Sequence, residues 1–123
     1  MAYSNYLRDL IIDRTLLDPA IFPDGLFLSL HDRDPGLTGN NELEGGAYTR
    51  LSLPLVRSGP GAVVNEQLIE FEDLPRSTVA YWGLWSARAE GQFLAGGPLL
   101  TPFAVAEGQN LRWRESDLVI RIG

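Results

Sequence analysis

The sequence predicts an all-β fold: a β-sandwich or jelly-roll-like module of about seven to eight short strands, preceded by one α-helix. Two observations lead to this prediction. From residue 26 onward, apolar residues alternate with polar ones over short runs, as they do in half-buried strands. Clusters of Gly, Pro, Asn and Asp separate these runs, and only the first segment of the chain has its apolar residues at helical spacing.

The helix is predicted at residues 4–17. Ser4 or Asn5 can cap its start, and Pro19 ends it soon after the last apolar position. One stripe of this helix is apolar, so it must pack on the core of its own domain or on a neighbouring subunit. The stripe consists of Tyr6, Leu7, Leu10, Ile11 and Leu17.

The β-module is predicted at residues 26–122, and together with the helix it forms one domain, 1–123. Pro54 cannot donate a hydrogen bond to a neighbouring strand, which predicts an edge strand or a bulge at that position. The predicted strands cover residues 26–31, 48–56, 62–65, 68–72, 78–87, 92–100 continuing through 103–106, 111–114 and 118–122.

A long polar loop, residues 32–47, follows the first strand. Connections in compact domains usually have about 4–6 residues, and longer ones are mostly functional or disordered. The purpose of this loop therefore distinguishes three classes of protein: an enzyme, a metal-binding module or a part of an assembly.

Composition excludes several functions. The net charge of −6 argues against a nucleic-acid partner, because phosphate neutralisation needs clustered Lys or Arg. No run of about 18 apolar residues exists, so no membrane span is expected. There is no cysteine for thiolate chemistry or Cys-based zinc sites. The first residues lack the apolar core of a signal peptide, which favours a protein made in the cytoplasm.

An enzyme is not expected. The chain has one histidine, His31, at a predicted strand end. Ser29 shares its face of the strand, but Asp32 points away, so these three residues do not form a triad. We expect His31 to be a partly exposed strand-end residue. No G-x-S-x-G, phosphate-binding loop or H-E-x-x-H motif is present.

The polar loop also offers oxygen ligands of the kind that calcium prefers. Pro35 and the early Gly36 break the calcium-loop pattern, and Asp-Pro-Gly is ordinary turn chemistry. We therefore expect no metal and no cofactor, with a structural calcium site as the weaker alternative. Its candidate ligands are Asp32, Asp34, Asn40 and Glu42.

Aromatic residues cluster on the strand at 78–87. Tyr81 and Trp85 face one side of it and Trp82 faces the other, so both faces are covered or one forms an interface. At least one tryptophan is expected in the core. An exposed platform that stacks on sugars is the alternative.

Read in order, these segments resemble a family of small tailed-bacteriophage virion proteins, often labelled tail fibre or minor tail protein. Related β-modules serve as capsid decoration. The pattern of this family leads us to expect an aspartate at position 86, where this chain has Ser86 instead. The resemblance covers nearly the whole chain after the helix and rests on FLSLHDRDPG, the polar loop, GGAYTR (45–50), Asn65, IEF (69–71), YWGLWSA (81–87), Gly91, FLAGGPL (93–99), AEGQNLRW (106–113) and the last apolar strand.

The resemblance implies a non-enzymatic structural part of a phage particle, made in the host cytoplasm and located in the virion. We expect a capsid decoration (cement) protein that bridges neighbouring subunits; a tail fibre or minor tail component is the alternative, and a carbohydrate- or calcium-binding β-module is a further one. The implied partners are other virion proteins, such as the major capsid protein or tail proteins, and further copies in a homo-oligomer. The predicted interface residues are Asp32, Asp34, Asn40, Asn41, Glu42, Tyr48, Arg50 and Trp82.

Overall fold

A computed structural model describes residues 4–121 and confirms the all-β prediction. Within these residues nine strands follow one N-terminal helix, where about seven to eight strands were expected. The helix α1 spans Asn5–Ile11 and continues as a π-helical segment, Ile12–Leu16. The strands are β1 Phe27–His31, β2 Leu51–Ser52, β3 Leu55–Gly59, β4 Ala62–Asn65, β5 Ile69–Phe71, β6 Ser77–Trp85, β7 Phe93–Val105, β8 Leu111–Trp113 and β9 Val119–Arg121.

The strands form three antiparallel sheets. The largest has the order β2-β1-β6-β7, the second β3-β4-β9, and the third pairs β5 with β8. One hydrophobic cluster receives side chains from all three sheets and from the helical segment. The single-domain organisation stays a prediction, and Ile122, which the predicted last strand included, lies outside the described residues.

The helical segment docks differently from the predicted stripe. Ser4 caps it, since its side chain accepts a hydrogen bond from the Leu7 N–H at 3.1 Å. The fully buried anchor is Ile12, whereas Tyr6 is 75% exposed. The π-helical hydrogen bonding after Ile11 changes the angular spacing of the side chains, which a 3.6-residue period does not anticipate. The second half of the helix therefore packs on its own core, and the first half leaves apolar surface exposed.

Arg57 of β3 holds the helix in place. Its guanidinium forms ion pairs with the carboxylates of Asp9, Nη2 to Oδ1 at 2.8 Å, and Asp13, Nη1 to Oδ1 at 2.9 Å. The Asp9 carboxylate also accepts the Gly61 N–H at 3.0 Å, at the turn between β3 and β4. These bonds attach one face of the helix to the β3–β4 hairpin. No helix within the described chain has the length and apolarity needed to cross a membrane.

The predicted strand at 48–56 is interrupted at Pro54. It becomes β2 and β3, which belong to different sheets and lie at the edge of each one. Leu53 is buried at the break, and its N–H donates to the Leu26 carbonyl at 2.8 Å. A proline without an N–H fits this switch between sheets better than it fits a continuous strand.

Candidate functional site

Both faces of β1 are buried, which alternation alone does not explain. Leu28 and Leu30 face the hydrophobic cluster, as their spacing predicts. Ser29 and His31 share the opposite face, and they too have no exposed surface. The polar loop covers this second face. It is closed at its base by an antiparallel bridge between His31 and Glu42.

The part of the loop that projects beyond this bridge, residues 32–41, is termed here the loop arm. The Leu43 N–H donates to the Leu30 carbonyl at 2.9 Å and fixes the chain as it returns. Gly39 has φ +80° and lies against Trp85, so that a methyl group on its Cα would collide with the indole ring. Leu37 is 95% exposed at the tip of the arm. The loop arm is thus an ordered cover with an apolar side chain at its outer end.

His31 is the centre of a buried chain of hydrogen bonds, so the prediction of a partly exposed histidine is wrong. Its Nδ1 lies 2.7 Å from the Asn40 carbonyl oxygen, and its Nε2 lies 2.7 Å from Ser29 Oγ. Ser29 Oγ in turn accepts the Trp85 indole N–H at 2.9 Å. A sequence pattern reports which face a residue lies on, but not that a distant loop covers this face.

The partners of His31 determine its tautomer. A carbonyl can only accept, so Nδ1 carries the proton, and Nε2 accepts from the Ser29 hydroxyl. Protonating Nε2 would leave Ser29 Oγ facing two N–H donors, because Trp85 already donates to it. Burial lowers the pKa of His31 below its ordinary 6.5, against opposing contributions from the Asn40 hydrogen bond and the Glu42 carboxylate.

We expect the free energy of unfolding to fall as the pH drops below about 6.5. In that range the unfolded chain binds a proton at His31 that the folded chain excludes. Each pH unit therefore lowers the free energy of unfolding by at most about 1.4 kcal/mol. The stabilisation that neutral His31 contributes is complete above pH 6.5, and it is lost progressively as the pH falls toward the pKa of His31 in the folded state. Urea unfolding at pH 7.5 and 5.5 measures it, and His31→Gln should remove the difference. Equal stability of the wild type at both pH values would contradict this assignment.

Ser29 and His31 have the spacing of a serine–histidine catalytic pair, but the surroundings exclude substrate. Ser29 lies directly opposite Gly83 in the β1–β6 ladder, and even a methyl group at Gly83 would collide with Ser29 Oγ. Both residues are fully buried. The hydroxyl is also already engaged with Trp85 and His31. This pair fixes the loop arm to the sheet and is not accessible to a substrate.

A second polar group, Glu42, Tyr48 and Arg50, lies beside this network. Arg50 binds Glu42 with two hydrogen bonds, Nη2 to Oε1 at 2.9 Å and Nε to Oε2 at 3.0 Å. The Tyr48 hydroxyl donates to Glu42 Oε2 at 2.6 Å and accepts the Leu30 N–H at 3.1 Å. The return of the polar loop is thereby attached both to β1 and to the segment before β2.

Arg50 also connects this group to the segment that joins β6 and β7. Its Nη1 donates to the carbonyls of Ala87 at 3.1 Å and Glu90 at 2.7 Å. Its guanidinium carbon lies 3.5 Å from the centroid of the Trp85 ring, a cation–π contact. Arg50 is only 8% exposed. A lysine could not make this planar set of contacts.

Burial and hydrogen bonding shift the pKa values of Glu42 and Tyr48 in opposite directions. Burial raises the pKa of Glu42, but the hydrogen bonds from Arg50 and Tyr48 outweigh burial and hold the pKa below its ordinary value. Burial and the adjacent carboxylate raise the pKa of Tyr48, so its hydroxyl keeps its proton. Glu42 is therefore an ionised partner of Arg50 and already accepts three hydrogen bonds.

The aromatic residues of β6 contribute to packing on both sides. Trp82 and Trp85 face opposite sides of the strand, and both are buried. Trp85 packs edge-on against Phe93 at 5.3 Å between ring centroids. The core prediction for these tryptophans is confirmed, and neither indole forms the exposed sugar platform considered as the alternative.

The candidate calcium ligands do not converge. Asp32 and Asp34 are exposed, the Asp34 carboxylate accepts the Gly36 N–H at 2.8 Å, and Glu42 is committed to Arg50. Within residues 4–121, no group of three or more His, Asp or Glu side chains could hold a metal ion. The Asp-Pro-Gly segment is therefore part of a turn.

The structure separates the predicted interface residues into two groups. Four are exposed on the loop arm, and these stay a prediction for a partner contact: Asp32, Asp34, Asn40 and Asn41. The other four are buried or half-buried, with their polar groups engaged inside the chain or their rings in the core: Glu42, Tyr48, Arg50 and Trp82. Sequence reasoning missed Leu37, although a leucine within a polar Pro-Gly-Leu-Thr-Gly turn is a signal that could have found it.

Comparison with known proteins adds one match. The model of a protein family described as podophage GP4 fiber I protein gp80 matches residues 2–121. No curated protein matches the chain.

Proposed function

The chain belongs to the family described as podophage GP4 fiber I protein gp80, and from this premise we propose that it is a non-enzymatic structural component of a tailed-phage fibre. The match over residues 2–121 carries this proposal, because it extends over both the helix and the β-module. We prefer the role of a fibre component to the capsid decoration role that the sequence favoured, since no observation on this chain specifically supports a capsid location.

The loop arm is the proposed contact with another virion protein. Its base is fixed by hydrogen bonds of His31 and Glu42, while its tip presents Leu37. A surface that is ordered before binding loses little conformational entropy when a partner docks, which favours association. Exposed Asp32, Asp34, Asn40 and Asn41 surround the apolar tip, in the manner of a polar rim around an interface centre.

The non-enzymatic role agrees with the chemistry of the chain's histidine. The Ser29–His31 pair is sealed from solvent, and Glu42 is held by Arg50. These groups are used to build the loop arm. In this proposal the residues that look most reactive in the sequence are positioning residues for an assembly surface.

Leu37→Asp tests the proposal. Burying one leucine side chain contributes about 1.5–3 kcal/mol, so we expect the amount of this protein in purified phage particles to fall at least about tenfold. Quantitative mass spectrometry of particles gives the readout. Leu68→Asp, at another exposed leucine in the connection between β4 and β5, should be incorporated normally. Wild-type incorporation of Leu37→Asp would contradict the loop-arm contact.

A further inference from the structure

The loop arm packs across the largest sheet and is joined to it by few hydrogen bonds. Pro35 is buried there, and a methyl group on the Cα of Gly96 in β7 would lie 2.7 Å from its Cγ. Within residues 4–121, one hydrogen bond joins the arm to the sheet, between His31 Nδ1 and the Asn40 carbonyl. The other hydrogen bonds of the arm connect its own residues. The arm can therefore leave the sheet as a unit when this one bond breaks.

The two ring nitrogens of His31 have opposite roles while the arm is closed. Nδ1 donates to the Asn40 carbonyl, and Nε2 accepts from the Ser29 hydroxyl. A proton on Nε2 would take this acceptor from the hydroxyl, because Ser29 Oγ accepts and does not donate in its bond with Trp85. His31 has no exposed surface, so water does not reach the new charge. The closed arm thus disfavours an imidazolium, since a buried charge without a partner is costly.

Charged side chains around His31 oppose one another. Glu42 pairs with His31 in the bridge at the base of the arm and attracts a proton, but Arg50 already binds its carboxylate. The Arg50 guanidinium repels a proton on His31. Asp32 attracts one, but its side chain is exposed and paired with Arg33 at 3.7 Å. These charges leave little net attraction for a proton at His31.

The groups that β6 and β7 place against His31 offer no compensating charge. Tyr81 lies opposite His31 in the β1–β6 ladder, and the Phe93 ring lies edge-on to the imidazole at 6.5 Å between centroids. A phenol is neutral at and below pH 7.5, so neither Tyr81 nor Tyr48 beside Glu42 supplies a negative charge. Burial outweighs the attraction of the carboxylates and lowers the pKa of His31.

Opening the arm removes the cost of protonation. An imidazole in contact with water takes up a proton with a pKa of about 6.5. The open arm therefore binds a proton more tightly than the closed arm, and acid shifts the equilibrium toward the open state. The preference for the closed state is complete above pH 6.5 and declines as the pH falls below that value.

We propose that the loop arm is a pH-operated cover, which is closed over His31 at neutral pH and is released from the sheet when His31 takes up a proton. This proposal rests on the proposed function, in which the arm is a contact surface, and adds a regulation of that contact. At neutral pH the arm is ordered for docking, and in acid this advantage is lost.

Hydrogen exchange of the purified chain at pH 7.5 and 5.5, followed by NMR and corrected for the intrinsic effect of pH, tests the proposal. The probes are the indole N–H of Trp85 and the amides of Gly39 and Asn40, which are hydrogen-bonded in the closed arm. The open fraction should rise by up to about tenfold at pH 5.5, because His31 is then about 90% protonated in the open arm. A rise of less than about twofold overturns the proposal.

Urea separates arm opening from unfolding of the whole chain. Opening the arm exposes little surface, so exchange of these probes should hardly change up to about 1 M urea, whereas exchange of the β4 amides should become faster. Probes in the arm that accelerate with urea in parallel with β4 report complete unfolding, and this result overturns the proposal.

His31→Gln is the control, because glutamine is neutral at both pH values. Its exchange in the arm should show no response to pH. The wild type gives a second readout that does not depend on the folding of this variant, since the chain has one histidine and its ring nitrogen shifts are unambiguous. We expect the proton on Nδ1 at pH 7.5 and a titration midpoint that coincides with arm opening. A proton on Nε2 at pH 7.5 overturns the proposal.

The tests of the cover and of the fibre contact fail separately. Exchange is measured on the chain without a partner, whereas incorporation of Leu37→Asp into particles tests the contact. A missing pH response together with lost incorporation of Leu37→Asp overturns the cover alone. A pH response together with normal incorporation supports the cover and contradicts the contact.

Discussion

Arg50→Met is expected to lower the free energy of unfolding by about 3 kcal/mol, since removing one partner of a buried ion pair leaves the other charge uncompensated. Glu42 would keep only the Tyr48 hydroxyl as a donor from this group, and the carbonyls of Ala87 and Glu90 would lose theirs. The cation–π contact with Trp85 would also be lost. Urea unfolding at pH 7.5 gives the change in stability.

Arg33→Met is the matched control for this prediction. Arg33 forms an ion pair with Asp32 at 3.7 Å, but both side chains are exposed to solvent. Exposed pairs contribute about 0–1 kcal/mol, so the control should unfold close to the wild-type midpoint. If both variants lose the same small amount of stability, Arg50 is not the group that attaches the polar loop to the β6–β7 segment.

Gly83→Ala is the second substitution with a large expected effect. The new methyl group would collide with Ser29 Oγ and lie 2.8 Å from His31 Nε2 and 3.1 Å from Phe93 Cε1. Overpacking of this kind costs about 1–3 kcal/mol, and breaking the Ser29–His31 hydrogen bond adds about 1 kcal/mol. We therefore expect a loss of about 2–4 kcal/mol in urea unfolding, with faster hydrogen exchange in the loop arm.

Two further variants isolate the cause of this effect. Gly59→Ala in β3 places a methyl group where no atom lies within 4 Å, so it should leave stability nearly unchanged. Ser29→Ala removes the atom that Gly83→Ala strikes, and the double variant should recover part of the loss. Strict additivity of Ser29→Ala and Gly83→Ala would contradict the contact that we assign.

Much of the fold could be predicted from the sequence because strand alternation is a local property. The face of β1 that carries Leu28 and Leu30 was predicted correctly, and so was the cap at Ser4. The helical stripe was wrong at Ile12, since π-helical hydrogen bonding alters the period. The break at Pro54 was predicted as an irregularity, but the change of sheet depends on the core around Leu53.

The candidate site was harder to predict, because it depends on contacts between distant residues. Nothing local in the sequence indicates that Arg50 meets the carbonyl of Glu90, or that Gly39 packs on Trp85. An acidic residue such as Glu42 in a polar loop is equally compatible with a ligand, an interface or an internal ion pair. Only the folded position of the loop over the second face of β1 distinguishes these possibilities.

The most direct test of the central claim is a cryo-electron-microscopy map of the phage particle that contains this chain. We predict density for the chain in a fibre, with the loop arm buried against another virion protein and Leu37 within that contact. Particles that lack the protein should then show an unchanged capsid surface and a missing or shortened fibre. Density for the chain on the capsid surface, or a loop arm that faces solvent in the assembled fibre, would contradict the proposed function.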